Sequence, residues 1–205
     1  MKKIYIISLL AVILLTGCCK KVYYSPIMDL NKYEPVGIIK IDVNAEGKLD
    51  YMTTERFMEY MRRDQPGILV LELGSREDVL KSVGKKELDF EAIKAIGDKY
   101  KVKTVIVGDL QISEVKPRVD FSLSFPYVSA TAEVDASLYS KMYETSMGST
   151  VWSGSSRVKT EVGSVKIFKE HFSFNAEDPE QAYGRLVDDL VWYTSRDFRG
   201  FWKCK

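Results

Sequence analysis

Three cysteine sulfurs, at positions 18, 19 and 204, are the groups in this chain best suited to covalent chemistry. A thiol acts as its thiolate, either as a nucleophile or as one half of a disulfide. The other candidates offer less. His171 is the only histidine; in FKEHFSF, strand alternation puts Phe172 and Phe174 on one face and His171 with Ser173 on the other, near solvent. A metal or general-base role needs partners that the neighbouring sequence does not supply. Asp188 and Asp189 are adjacent on a helical pattern, so their side chains diverge by about 100° and cannot form a facing acid pair. GSTVWSGSS (148–156) and Gly84-Lys85-Lys86 lack the Gly-Lys-Ser/Thr ending and the helix of a phosphate loop. No catalytic residue, metal or cofactor is expected, and the chain is not read as an enzyme.

The setting of Cys18 gives its sulfur a task. Lys2 and Lys3 form a positive n-region, Ile4 to Leu15 an apolar run, and Thr16 and Gly17 are small residues before a cut, the three parts of a secretory signal. A spanning helix needs about 20 apolar residues, and this run stops short of that at Cys18-Cys19-Lys20-Lys21. Leu15-Thr16-Gly17-Cys18 resembles the bacterial lipobox. That resemblance implies diacylglycerol on the Cys18 thiol, removal of residues 1–17, and acylation of the new N-terminus with a fatty acid such as palmitate. One acyl chain binds a membrane only marginally, whereas several on one residue give a stable tether.

Charge is balanced, Lys+Arg 30 against Asp+Glu 29, so no bulk field recruits nucleic acid or an anionic surface. With Cys18 acylated, Cys19 and Cys204 remain at the two ends of the mature chain, in a compartment where a disulfide persists. Their pairing is one possibility; two separate thiols, or Cys204 pairing between chains, are the others.

The elements that would carry these groups follow from pattern. Residues 18–33 have little periodicity and read as a flexible tether; a domain spans 34–199, and 200–205 form a C-terminal tail. VGIIKIDV (36–43) reads as a strand, and Thr53 or Thr54 as the cap of a helix bearing Phe57, Met58 and Met61. Pro66-Gly67 breaks the chain before the strand ILVLEL. Ser75 with Asp78 forms a capping box, and Leu88-Asp89 opens a helix with Phe90, Ile93, Ile96, Gly97 and Tyr100 on one stripe. TVIVGDLQISEV (104–115) reads as a buried strand. RVDFSLSF and VSATAEVDASL alternate as two long antiparallel strands about a Phe125-Pro126-Tyr127 corner, and STVWSGSSRVKTEV and SVKIFKEHFSF continue the meander. Asp178-Pro179-Glu180-Gln181 is a strong helix start, after which Tyr183, Leu186, Val187, Leu190 and Thr194 share a face. WYTSRDFRGFW (192–202) is an aromatic and basic mixture of the kind that stacks on bases or sits at a membrane interface; its rings are expected to pack on the domain with Arg196 and Arg199 solvated, and a partner-binding surface is the sharper alternative. The fold class is α/β: a single domain with a mixed, largely antiparallel sheet flanked by helices, the C-terminal helix packed on the sheet.

VLELGSREDVLKSVGKKELDFEAIKAIGDKYKVKTVIVGDL is similar to a stretch of the curli-secretion-channel-like, penicillin-binding-protein-activator-like and Tol N-terminal-domain-like bacterial lipoproteins. There a strand and two helices lead into a strand ending in valine-glycine, here Val107-Gly108. ASLYSKMYETSMGSTVWSGSS resembles their next signature, here Ser146-Met147-Gly148 and Val151-Trp152-Ser153. The likeness covers roughly 36–195. Gly74-Ser75 stands where these families often carry arginine, and the Phe125-Pro126 hairpin departs from their pattern. The resemblance implies a non-enzymatic adaptor, lipid-anchored in the cell envelope with its domain in the periplasm, that binds another envelope protein or copies of itself. Cys19 in place of a retaining aspartate implies the outer membrane over the inner in a double-membrane cell. A subunit of an oligomeric outer-membrane secretion channel is the alternative; residues 119–138 offer one imperfect hairpin whose outer face is filled by Ser, Asp, Thr and Glu.

Overall fold

The computed structural model describes residues 20–119, 130–168 and 171–204. In chain order these form β1 (Lys21–Tyr24), a 3-10 turn (Leu30–Lys32), β2 (Val36–Ile39), β3 (Asp42–Val43), β4 (Glu46–Gly47) and α1 (Leu49–Asp64). Then come β5 (Val70–Gly74), α2 (Arg76–Ser82), α3 (Phe90–Tyr100), β6 (Thr104–Val119), β7 (Ala130–Glu144) and β8 (Thr150–Gly163). The chain closes with β9 (Lys166–Phe168), β10 (His171–Phe174), α4 (Pro179–Thr194), a second 3-10 turn (Arg196–Phe198) and β11 (Phe201–Cys204).

The main sheet has the order β5-β2-β6-β7-β8, with β3 beside β6. β2 runs parallel to both β5 and β6, while the long β6–β7 and β7–β8 pairings are antiparallel. The sheet is therefore mixed and largely antiparallel, as its pattern predicts. One face carries the larger core, where Phe57 and Met61 of α1 and Tyr183, Leu186 and Leu190 of α4 meet Ile38, Ile106, Leu138 and Trp152. On the other face Val79 of α2 and Ile96 of α3 pack on Ile39, Val105 and Val107, with Leu73 of β5 and Tyr143 of β7 against them. Beyond them Tyr139, Lys141, Ser153 and Ser155 stand exposed on β7 and β8.

α4 begins where local chemistry dictates. Asp178 accepts a hydrogen bond from the Gln181 N–H at 3.1 Å, and Pro179, which has no N–H to leave unpaired, opens the helix. Its apolar face is fully buried, each large side chain contributing about 1.5–3 kcal/mol. On the solvent side Arg56 of α1 joins Glu180 and Asp188 of α4, the latter at 3.0 Å.

Four local expectations differ from the fold. Thr53 and Thr54 do not cap α1: both are buried inside it and donate back to the carbonyls of Leu49 and Asp50, at 2.6 and 2.7 Å. The hydroxyl of a threonine serves either position, so sequence does not choose between them. SVKIFKEHFSF leaves the meander and folds back as β9 and β10, which join β4 in a separate three-stranded sheet. The segment read as a tether contains β1 and a buried Leu30, and the segment read as a tail contains β11, the partner of β1. The Phe125-Pro126-Tyr127 corner lies outside the described residues, as do Cys18 and Cys19.

Candidate anchor end and docking surfaces

β1 and β11 form an antiparallel two-stranded ribbon in which Lys21 faces Cys204, Val22 faces Lys203, Tyr23 faces Trp202 and Tyr24 faces Phe201. Aromatic rings pair across it on both faces. Tyr24 stacks on Phe201 with centroids 5.1 Å apart, and Tyr23 meets Trp202 at 5.2 Å. Such cross-strand pairs hold a short ribbon together. They do not bury it: Phe201 is 52% and Trp202 67% exposed. Cys204, at the end of β11, is disulfide-bonded.

The ribbon is fastened to the body through Gln65, just beyond α1 and only 5% exposed. Its Nε2 donates to the carbonyls of Met28 and Phe198, at 2.6 and 2.9 Å, and its Oε1 accepts the Leu30 N–H at 2.7 Å. The Met28 N–H in turn donates to the Asp197 carbonyl at 2.9 Å. Asp197 also receives the indole N–H of Trp152 at 3.2 Å, and the Trp152 ring packs on Phe198 at 4.5 Å. The segments that follow β1 and precede β11 thus converge on one polar and aromatic knot.

WYTSRDFRGFW divides. Phe198 is fully buried, as expected of its rings, but Trp192, Tyr193, Phe201 and Trp202 are exposed. Arg196 is solvated, whereas the Arg199 side chain is 14% exposed, with its guanidinium 3.5 Å above the Trp192 ring and its Nη1 3.9 Å from Asp64. Burial depresses the Arg199 pKa against the pull of Asp64. Arg63 lies over Tyr60 at 4.0 Å, and burial together with Asp188 raises the Tyr60 phenol. These are packed cation–π contacts.

A groove of about 560 Å³ opens on the uncovered sheet face, lined by Leu88, Val107, Tyr139, Lys141 and Ser153 among others. At its margin Arg76 Nε reaches Asp42 at 2.8 Å and its Nη2 reaches Asp109 at 2.9 Å. Burial pushes the Asp42 carboxyl up; Arg76 opposes this, while Asp109 and Asp50 reinforce it. Arg76 is thus occupied by two carboxylates.

β8 ends the main sheet, and no strand pairs with its outer edge among the described residues. Arg157 forks onto Asp135 at 2.8 and 2.6 Å and Lys159 meets Glu133 at 2.9 Å, charges that discourage indiscriminate strand addition.

The sequence candidates are dispersed. His171 lies in β10, and its side chain is outside the described residues. Asp188 faces Arg56. GSTVWSGSS makes the turn into β8, where Gly148 takes a φ of 58° that only glycine accepts readily. At Gly108 an added Cβ would stand 2.8 Å from Ser140 Oγ, so that glycine serves a close strand approach. Among the described residues no group of three His, Cys, Asp or Glu is placed to hold a metal, and no helix is long and apolar enough to cross a membrane. Sequence reasoning missed the ribbon; the signal available was the mirrored order of KVYY (21–24) and FWKC (201–204).

No protein-family model matches the chain, and no curated protein matches it. Among solved structures it is similar to the PelC dodecamer from Paraburkholderia phytofirmans, at 10% identity and a TM-score of 0.47 over 88% of this chain and 96% of that one. It is similar to lipoprotein GNA1162 from Neisseria meningitidis, at 13% identity and a TM-score of 0.37 over 62% and 82%. The LpoB C-terminal domain from Escherichia coli matches at 13% identity and a TM-score of 0.38, over 65% and 88%.

Proposed function

We propose that this chain is a lipid-anchored lipoprotein of the bacterial cell envelope, its domain in the periplasm and its anchor in the outer membrane, acting as a non-enzymatic adaptor for another envelope protein or for copies of itself. Cys18 carries the lipid, and residues 1–17 are removed. Cys19 pairs with Cys204, because a Cys18 sulfur committed to a thioether is no longer available to a disulfide. The observation that carries this reading is the lipobox-like LTGC at 15–18 placed three residues before the first strand. The open edge of β8 and the groove beside it supply surfaces for contact, and neither presents a nucleophile with its base.

The channel alternative needs a hairpin with an apolar lipid-facing side. Where β6, β7 and β8 run furthest from α2 and α3, their uncovered face instead carries Glu114 paired with Lys116, Glu133 with Lys159 and Asp135 with Arg157. The adaptor reading is better supported.

Cells expressing the protein and fed an alkyne analogue of palmitate test the anchor. The wild type takes up label and sediments with outer membranes, and Cys18→Ala takes up none. An unlabelled mature chain free of membranes overturns the reading. Mass in mild detergent separates the two alternatives: a monomer or dimer supports the adaptor, a large ring the channel.

A further inference from the structure

The β1–β11 ribbon has no packing task that explains its aromatic surface. Tyr23, Tyr24, Phe201 and Trp202 are all exposed, although the strands they occupy number four residues each. Lys21 and Lys203 flank them on the same ribbon and are exposed too. Tyrosine and tryptophan, whose rings carry polar tips as in Tyr23, Tyr24 and Trp202, settle beside lysines at a membrane–water boundary, and Phe201 adds apolar surface. Position gives the surface its occupant. Lys21 lies three residues beyond Cys18, a reach of about 11 Å at full extension. A headgroup layer is about 6 Å thick, so a body moored through Cys18 holds the ribbon at or within one layer of the lipid surface.

We infer that this ribbon is a second, interfacial membrane contact: its rings enter the headgroup region of the bilayer that holds the Cys18 acyl chains, and its lysines meet anionic lipid phosphates. The inference rests on the lipoprotein reading. The acyl chains suffice to retain the protein, and the ribbon's contribution is orientation. A lipid alone would leave the domain free to tumble about a single point. The ribbon adds a second point, tied to the body by Gln65, so that the groove and the β8 edge are held at one height and angle above the membrane.

The full-length protein, purified in detergent and reconstituted into phosphatidylethanolamine–phosphatidylglycerol vesicles with or without acyl-brominated phospholipid, tests this. Mass analysis of the same preparation reports acylation of Cys18. Brominated vesicles are expected to quench part of the wild-type tryptophan emission, and the corresponding iodide-accessible part is lost on reconstitution. Trp202→Phe, at an exposed site and with an unchanged thermal transition, loses that lipid-quenched component while Trp152 and Trp192 continue to report. Acylated protein whose wild-type and Trp202→Phe forms are quenched alike, with Trp202 still open to iodide, overturns the ribbon contact and leaves the anchor standing. Unmodified Cys18 overturns both.

Discussion

The side-chain amide of Gln65 donates to the backbone carbonyl of Phe198 at 2.9 Å, joining the end of α1 to the approach to the last strand. The same side chain holds Met28 and Leu30, so one buried residue gathers the segment after β1 and the segment before β11. Gln65→Leu keeps the volume and leaves three buried backbone groups without partners. The expected loss is about 3 kcal/mol in urea unfolding, with amide exchange accelerated first in β1 and β11. Unchanged exchange in the ribbon would mean that Gln65 does not hold it.

Trp152 is the largest side chain offered by β8 to the core, and it meets Phe57, Phe198 and the Asp197 carboxylate. Trp152→Ala should cost about 3–5 kcal/mol in chemical denaturation. Trp152→Phe should cost less, because it keeps a ring and gives up only the indole N–H and some volume. Equal losses for the two variants would show that packing contributes little there.

Asp135 and Arg157 give a dependence on acid. Hydrogen bonds from Arg157 hold the Asp135 carboxyl below the ordinary aspartate range, against a smaller opposing effect of burial. A depressed folded pKa contributes stability above the unfolded value of about 3.9 and loses it as pH falls through the folded value. Thermal scans from pH 7 to pH 3 should therefore show Asp135→Asn slightly less stable than wild type near neutrality, with the gap closing below about pH 4. The effect is small because Arg157 is largely exposed. A gap that stays constant across the range would contradict the assignment.

Gly97 lets α3 lie against the turn after β7. A Cβ there would collide with Thr145, whose hydroxyl is committed to the carbonyls of Val102 and Lys103 at 3.0 Å each. Gly97→Ala gains helix propensity of about 1 kcal/mol and pays more in overpacking, for a net loss of about 1–2 kcal/mol. A stabilised variant would mean that α3 shifts freely.

What was legible in the sequence was local. The start of α4 at Asp178-Pro179 and the cap of α2 at Ser75 follow from contacts within a turn of the chain, and both occur as read. The alternation of β7 and β8 survived because a strand's period is set by its own backbone. The ribbon was not legible, since KVYY is too short to show a period and its partner lies at the opposite end of the chain. For the same reason Arg76, Asp42 and Asp109 show no relation in sequence, although the parallel pairing of β3 and β6 sets the two aspartates side by side. SVKIFKEHFSF reads as a continuation of the meander because the fold-back onto β4 is decided by a tertiary partner.

The most direct measurement is mass spectrometry of the mature protein's N-terminal and C-terminal peptides without prior reduction. The account predicts a chain that begins at Cys18, with a diacylglyceryl thioether on that sulfur and Cys19 joined to Cys204. An unmodified Cys18, or Cys18 itself joined to Cys204, would contradict it.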